Sequence, residues 1–143
     1  MKQWLIAAVS ILLTTVLPAQ NISSTFNTNA EGWTVINDPV GTVSLPTYNP
    51  TGGSPGGCIS KFEGALSLPG LTLFFVAPPK YLGNKSWAFG NSLSFDIRSE
   101  RTATTTFSDD NIVLEGSGIT LFFNIPTPPT TWTHIDCPLV QGS

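Results

Sequence analysis

The stretch Ser92-Leu93-Ser94-Phe95-Asp96-Ile97-Arg98 decides the fold class of this 143-residue chain. Its apolar residues, Leu93, Phe95 and Ile97, alternate with polar ones along the whole stretch. A period of two residues is typical of a β-strand that buries one face and exposes the other. The stretch therefore predicts a half-buried β-strand and favours a β-rich fold.

Two further stretches, 119–125 and 132–139, show the same alternation. In the first, Phe122 is apolar although it shares a face with polar neighbours. Either that strand is buried on both faces or Phe122 marks an exposed patch. In the second, Pro138 is expected at a sheet edge or beyond the strand, because proline cannot donate a hydrogen bond to a neighbouring strand.

Proline and glycine interrupt nearly every segment that is long enough for a helix of three turns. Segment 49–57 is predicted to be a loop because it holds four glycines and two prolines, and segment 126–129 a stiff linker between two strands. About seven short strands separated by turns are typical of an all-β sandwich or jelly roll. Weaker strand patterns cover residues 32–36, 58–62, 71–76 and 111–114.

The first nineteen residues have the features of a signal peptide. Lys2 is followed by a mainly apolar run over 4–17, and then by Pro18 and the small residue Ala19. A membrane anchor is the competing reading, but a helix that spans a bilayer needs about 20 apolar residues. We therefore expect cleavage after Ala19, a domain over 20–143, no membrane span after signal removal, and secretion, with the periplasm or cell surface as the destination if the source is bacterial.

Charge and cysteine content bear on the expected partners and on disulfide formation. The formal net charge is −3 at pH 7 and the six basic residues form no stripe, so nucleic acid is not an expected partner. Cys58 and Cys137 are the two cysteines, and in an oxidising compartment they can form a disulfide. The alternative is two small buried thiols that never meet, because the sequence fixes neither their distance nor their direction.

No convincing catalytic or cofactor motif is present. His134 is the single histidine and shares a strand face with Trp132 and Asp136, but no nucleophile motif accompanies it, so we expect no enzyme activity. Asp109 and Asp110 form an acidic turn that is the leading alternative for a Ca²⁺ site. A second Ca²⁺ alternative involves Glu31 and Asp38. No other metal or cofactor is expected.

Aromatic side chains are the candidate ligand contacts, because sugars stack on aromatic rings in glycan-binding sandwiches. Tyr81, Trp87 and Phe122 are the predicted contacts for such a ligand. The competing interpretation is that large rings in a small β-domain build its core.

Ordered blocks of the sequence resemble the laminin B family, also called laminin IV type A. They lie between residue 26 and residue 139 and are Phe26-Asn27-Thr28-Asn29-Ala30-Glu31-Gly32-Trp33, Pro50-Thr51-Gly52-Gly53-Ser54-Pro55-Gly56-Gly57-Cys58, Phe75-Val76-Ala77-Pro78-Pro79-Lys80-Tyr81-Leu82-Gly83-Asn84, Leu93-Ser94-Phe95-Asp96-Ile97-Arg98, Asp110-Asn111-Ile112-Val113-Leu114-Glu115-Gly116-Ser117-Gly118-Ile119 and Thr131-Trp132-Thr133.

This resemblance implies a β-sandwich of jelly-roll type, similar to galactose-binding-like carbohydrate modules. The family occurs as a non-catalytic extracellular module in laminin chains and perlecan, and in signal-bearing bacterial proteins. We therefore expect a structural or adhesive module whose partners are matrix or cell-surface proteins or glycans, with carbohydrate binding as the alternative. The family domain continues for several dozen residues beyond the Trp132 strand, and laminins place it between cysteine-dense repeats. We thus expect a stand-alone member that is truncated at its C-terminus and lacks its last strands.

Overall fold

A computed structural model describes residues 20–38, 41–62, 72–100 and 112–140. Within these ranges the regular structure consists of short β-strands and two turns of 3-10 helix, Pro79–Tyr81 and Ser86–Ala88. The strands are β1 Thr34–Asp38, β2 Val43–Ser44, β3 Thr47–Asn49, β4 Cys58–Ser60, β5 Thr72–Val76, β6 Ser92–Ile97, β7 Ile112–Gly116, β8 Ile119–Phe123 and β9 Thr133–Pro138. The predicted all-β fold class is confirmed.

The strands form four small antiparallel sheets. β1 lies between β2 and β5, and β3 pairs with β4, β6 with β9, and β7 with β8. The β3–β4 pair is a hairpin that carries the glycine-rich loop, and the β6–β9 pair joins segments far apart in the sequence. The finer expectation, two sheets packed face to face as a jelly roll, stays a prediction.

The β6–β9 ladder has the alternation that the sequence predicts. Along β6, Leu93, Phe95 and Ile97 are half-buried, whereas Ser92 and the other residues on its face are exposed. Pro138 lies opposite Ser92 at the end of the ladder. The position fits proline, because the next residue, Leu139, supplies the amide that donates to the carbonyl of Asn91 at 2.7 Å, so no donor is needed from Pro138.

The β7–β8 hairpin is closed by Ser117 and Gly118. Both residues have positive φ, 50° and 75°, which is typical of a type I′ turn and matches the right-handed twist of the two strands. All five residues of β8 are exposed, and Phe122 is 56% exposed. Of the two interpretations of Phe122, the exposed patch is therefore the one that the structure supports.

Glycine is required in the loop between β3 and β4 because backbone segments approach each other there. A Cβ atom on Gly57 would collide with the carbonyl oxygen of Phe26, and one on Gly53 would collide with the backbone of Gly57. The Gly53 amide donates a hydrogen bond to the carbonyl of Gly56 at 2.7 Å. The loop predicted over 49–57 thus closes on itself and against the N-terminal segment.

Few apolar side chains of the described ranges are fully buried. Val35 in β1 is 0% exposed and Cys137 in β9 is 2% exposed. Val35 lies in the middle strand of its sheet, opposite Ser44 on one side and Phe75 on the other. The neighbouring strands shield it from both sides, but Ile36, which also has partners on both sides, is only half-buried, so the full burial of Val35 also reflects the sheet face on which it lies.

Several sequence predictions fall on residues outside the described ranges. These are the signal peptide over 1–19 and the acidic pair Asp109 and Asp110. In the part of the chain that the structure does describe, no helix has the length and apolarity needed to cross a bilayer.

Val35→Ala is expected to lower the free energy of unfolding by about 2 kcal/mol, because it removes buried methyl groups and leaves a cavity. Val43→Ala on the neighbouring strand is the matched control, since Val43 is 64% exposed. We expect it to change stability by less than about 0.5 kcal/mol. Urea denaturation measures both, and equal losses would show that β1 is not the centre of a packed sheet.

Candidate functional site

The carboxylate of Glu31 connects the N-terminal segment to the first 3-10 helix. Its Oε1 atom accepts hydrogen bonds from the amides of Thr25, at 2.8 Å, and Phe26, at 2.7 Å. Its Oε2 atom lies 2.5 Å from the Nζ of Lys80. The same ammonium donates to the carbonyl of Ser23 at 2.7 Å. One ion pair therefore holds two segments together.

Opposing effects act on the pKa of Glu31. Burial raises the pKa, and the hydrogen bonds from Lys80, from the Phe26 and Thr25 amides and from Ser24 lower it to about 2. The hydrogen bonds outweigh burial because they all favour the charged form. Glu31 is thus ionised at neutral pH and committed to the fold, which makes it a poor ligand for the Ca²⁺ alternative that included it.

Three aromatic rings pack beside this ion pair. The ring of Trp33 lies 6.3 Å from that of Phe26 and 5.6 Å from that of Tyr81. The Oγ of Ser24 accepts a hydrogen bond from the Trp33 indole at 2.9 Å, and the hydroxyl of Tyr81 donates to it at 3.1 Å. Tyr81 was predicted as a ligand contact, but its ring and hydroxyl both have partners within the fold.

The two other predicted ligand contacts lie on separate elements. Trp87 is in the second 3-10 helix and is 36% exposed, while Phe122 is in β8 opposite Val113. Among the residues described, no ring contact joins either of them to Tyr81 or to each other. The structure does not assemble the three into one aromatic platform, and their role in binding stays a prediction.

Trp132 connects the β6–β9 sheet to the glycine-rich loop. Its indole donates a hydrogen bond to the carbonyl of Gly52 at 2.9 Å, and the guanidinium of Arg98 lies over the ring, 5.3 Å from its centroid. The sequence pattern predicts Trp132 on a strand face, whereas the structure places it directly before β9, and the pattern does not reveal that its partner is a loop 80 residues earlier.

His134 has a carboxylate neighbour that the sequence did not identify. Its Nδ1 atom lies 3.1 Å from the Oδ1 of Asp96, which is its cross-strand partner in the β6–β9 ladder. Asp136, the acid that shares its strand, lies opposite Ser94 instead. The His134 side chain is 62% exposed. A His–Asp pair this open to water lacks the enclosed setting in which a nucleophile is activated.

An open cleft of about 650 Å³ lies between two turns of the chain. One wall is the segment between the two 3-10 helices, and the other is the turn of the β7–β8 hairpin. The lining residues are Gly83, Asn84, Lys85, Glu115, Gly116 and Ser117. The lining carries charges of both signs, an amide and a hydroxyl, so the cleft suits a polar molecule.

Metal binding gains no structural support in the described part of the chain. No group of three or more His, Cys, Asp or Glu side chains is arranged there to hold an ion. The predicted Ca²⁺ ligands Asp109 and Asp110 lie outside the described residues.

Both cysteines are free thiols in the structure. Cys137 is buried, and burial, followed by the charge of Asp136, raises the pKa of its thiol. A raised pKa lowers the thiolate fraction and hence the reactivity of the group. The disulfide between Cys58 and Cys137 stays a prediction.

Comparison with known proteins gives a consistent result. Residues 74–141 match the family model described as Laminin B (Domain IV). Laminin subunit gamma-1 of Xenopus tropicalis is 32% identical over 99 residues, which are 69% of this chain and 6% of that protein. Laminin subunit gamma-2 of Homo sapiens is 45% identical over 47 residues, which are 33% of this chain and 4% of that protein. The chain thus spans a small part of these relatives. No solved structure matches significantly.

Glu31→Gln is expected to lower the free energy of unfolding by about 1–2 kcal/mol at pH 7, because it removes the charge that Lys80 and two amides stabilise. The pKa of Glu31 is lowered from 4.5 to about 2, so its contribution is complete above pH 4.5 and is lost as the pH falls towards 2. The difference between wild type and variant, measured by urea denaturation, should therefore shrink over that range.

Glu100→Gln is the matched control for this substitution. Glu100 pairs with Arg98 at 3.1 Å, but its side chain is 79% exposed. An exposed ion pair contributes at most about 0.5–1 kcal/mol. Equal losses in the two variants, or a difference for Glu31→Gln that does not change with pH, would contradict the role given to Glu31.

If the disulfide forms, protein recovered from an oxidising compartment will resist alkylation in denaturant until it is reduced. Denaturant is needed because burial protects Cys137 whether or not it is bonded. Mass spectrometry reads the result, and Cys58→Ser is the control that must release one reactive thiol. A bond across this loop of roughly 80 residues would add about 4–5 kcal/mol by the chain-entropy model. Two alkylated thiols in the unreduced wild-type protein would show that the disulfide between Cys58 and Cys137 does not form.

Proposed function

This chain carries a laminin B domain (domain IV), and from that premise we propose that it acts as an extracellular module of structural or adhesive type, without catalytic activity. The match over residues 74–141 is the observation that carries the proposal. It runs from β5 to the end of β9 and so includes the ladder and the hairpin that present the exposed surfaces.

Secretion is part of this proposal and is supported by the signal-peptide pattern at the N-terminus. The partners we propose are matrix or cell-surface proteins and glycans. The fold supports such a role because Glu31 and Trp132 tie separate segments together, so that loops are presented on a braced framework. Rigid presentation favours binding because less conformational entropy is lost on association.

The non-catalytic part of the proposal is supported by the geometry at His134. Its acidic partner Asp96 is exposed, and no hydrogen bond joins the imidazole to a serine or cysteine in the described ranges. A triad needs the nucleophile within hydrogen-bond reach of the base.

Carbohydrate binding is a second candidate function. It is favoured by one observation, the cleft between the 83–85 segment and the β7–β8 turn, whose lining is mainly polar. The aromatic contacts first predicted for a sugar give it less support, because Tyr81 already has partners in the fold.

The proposal predicts that the chain is exported, begins at Gln20 after processing, and binds saturably to surfaces coated with extracellular-matrix proteins. N-terminal sequencing of secreted protein and a solid-phase binding assay measure this. His134→Ala should leave binding unchanged, because the imidazole has no part in an adhesive role. Retention inside the cell, absence of binding, or a hydrolytic activity of the wild type that His134→Ala abolishes would contradict the proposal.

A further inference from the structure

The cleft between the 83–85 segment and the β7–β8 turn has the dimensions of a ligand site. Its volume of about 650 Å³ falls within the range of roughly 300–1,000 Å³ that is usual for small-molecule pockets. Its walls come from segments about thirty residues apart in the sequence, so the cleft exists only in the folded chain. The sequence patterns did not point to it.

The groups that line the cleft are free to bind a ligand. The ammonium of Lys85, the carboxylate of Glu115 and the hydroxyl of Ser117 form no ion pair or hydrogen bond with the described residues. In two other places of the described ranges opposite charges are in contact, Glu31 with Lys80 and Glu100 with Arg98. Lys85 and Glu115 line one cleft and yet remain apart, which leaves a donor and an acceptor facing the same space.

Local structure holds both walls in position. The Oδ1 of Asn84 accepts a hydrogen bond from the amide of Ser86 at 3.0 Å, which fixes the side chain and leaves its amide hydrogens available as donors. On the other wall, Ser117 and Gly118 form the tight turn that closes the hairpin. Short turns of this kind position their side chains with little freedom.

The lining selects a class of ligand. An apolar molecule would gain little, because two of the six lining residues are glycines and none of the other four has a hydrophobic side chain. An anion would be attracted by Lys85 but repelled by Glu115, and a cation the reverse, so a single charge on the ligand gains little and must still be desolvated. A neutral molecule with many hydroxyls avoids both penalties, since each hydroxyl can donate to the carboxylate and accept from the ammonium or the amide.

We propose that this cleft binds a neutral sugar unit of a glycan, with Lys85, Asn84, Glu115 and Ser117 as the hydrogen-bonding groups. The proposal rests on the carbohydrate-binding candidate above and assigns it a site different from the aromatic side chains. Trp87 follows Lys85 by two residues and is the nearest of those aromatic residues in the sequence.

The test is an NMR titration of the purified, isotope-labelled chain with galactose, glucose and N-acetylglucosamine, and with glucuronic acid and glucosamine as charged counterparts. We expect the neutral sugars to shift the amides of Gly83, Lys85, Gly116 and Ser117 with a Kd on the order of 1 mM, as is reasonable for a monosaccharide in an open site. The charged sugars should bind more weakly.

Variants of the cleft residues test whether the cleft is the sugar site, independently of whether the chain binds sugar at all. Glu115→Gln and Lys85→Met should each weaken binding about tenfold, because each removes a charge-assisted hydrogen bond. Glu100→Gln is the control and should bind like wild type, since Glu100 pairs with Arg98 and does not line the cleft. The dispersion of the same spectra reports whether each variant is folded.

The remaining outcomes overturn the proposal in distinguishable ways. One such outcome is that sugars shift the amides around Phe122 or Tyr81 while both cleft variants bind like wild type. In that case the assignment of the sugar site to the cleft is wrong, and the chain still recognises carbohydrate. If no sugar shifts any amide, carbohydrate recognition fails together with the cleft. The adhesive function is not decided by either result, because matrix binding is measured separately.

Discussion

The ion pair between Glu31 and Lys80 fixes the N-terminal segment to the rest of the described fold and joins positions 49 residues apart. Glu31 also accepts from the amides of Thr25 and Phe26, so its carboxylate serves as the end point of a segment that has no regular structure of its own. Loss of the charge would weaken all of these hydrogen bonds at once and leave the Ser23 carbonyl as the acceptor for the Lys80 ammonium. Hydrogen bonds to a charged group contribute more than neutral ones, so the cost exceeds that of a single ordinary hydrogen bond.

The position of the N-terminal segment determines how the neighbouring aromatic residues pack. With the N-terminal segment held against Lys80, the rings of Phe26, Trp33 and Tyr81 pack on one another and Ser24 connects two of them. A tyrosine in this setting contributes area and a hydrogen bond to the fold. The sequence motif from Phe26 to Trp33 therefore has a structural explanation. It supplies the Glu31 carboxylate that accepts the hydrogen bonds, the rings of Phe26 and Trp33 that pack together, and the tight backbone that this arrangement requires.

How much the sequence can predict differs between elements, for physical reasons. Alternation alone predicts β6 and β9, because half-buried strands show a period of two. It cannot pair His134 with Asp96, since the register depends on which strands meet and not on either strand's pattern. β2, of two residues, is too short to show a period. Alternation also predicted a covered face for β8, but burial needs a second surface, and every residue of β8 is exposed.

The candidate site was harder to predict than the fold because it belongs to turns. Glu115 lies in a block that resembles the family and Lys85 directly follows another such block, but neither block marks a ligand site, and nothing in the sequence indicates that the two turns approach each other. Only the folded chain shows that their charges share a cleft, while two other oppositely charged pairs, Glu31 with Lys80 and Glu100 with Arg98, are in contact. If Lys85 and Glu115 were in contact, they would gain electrostatic energy by pairing in the free protein, but the structure shows no such pair. Two charges that line one space without pairing keep their hydrogen-bonding capacity for a molecule that enters between them, and this makes the cleft, rather than the exposed aromatic residues, the best candidate for a ligand site.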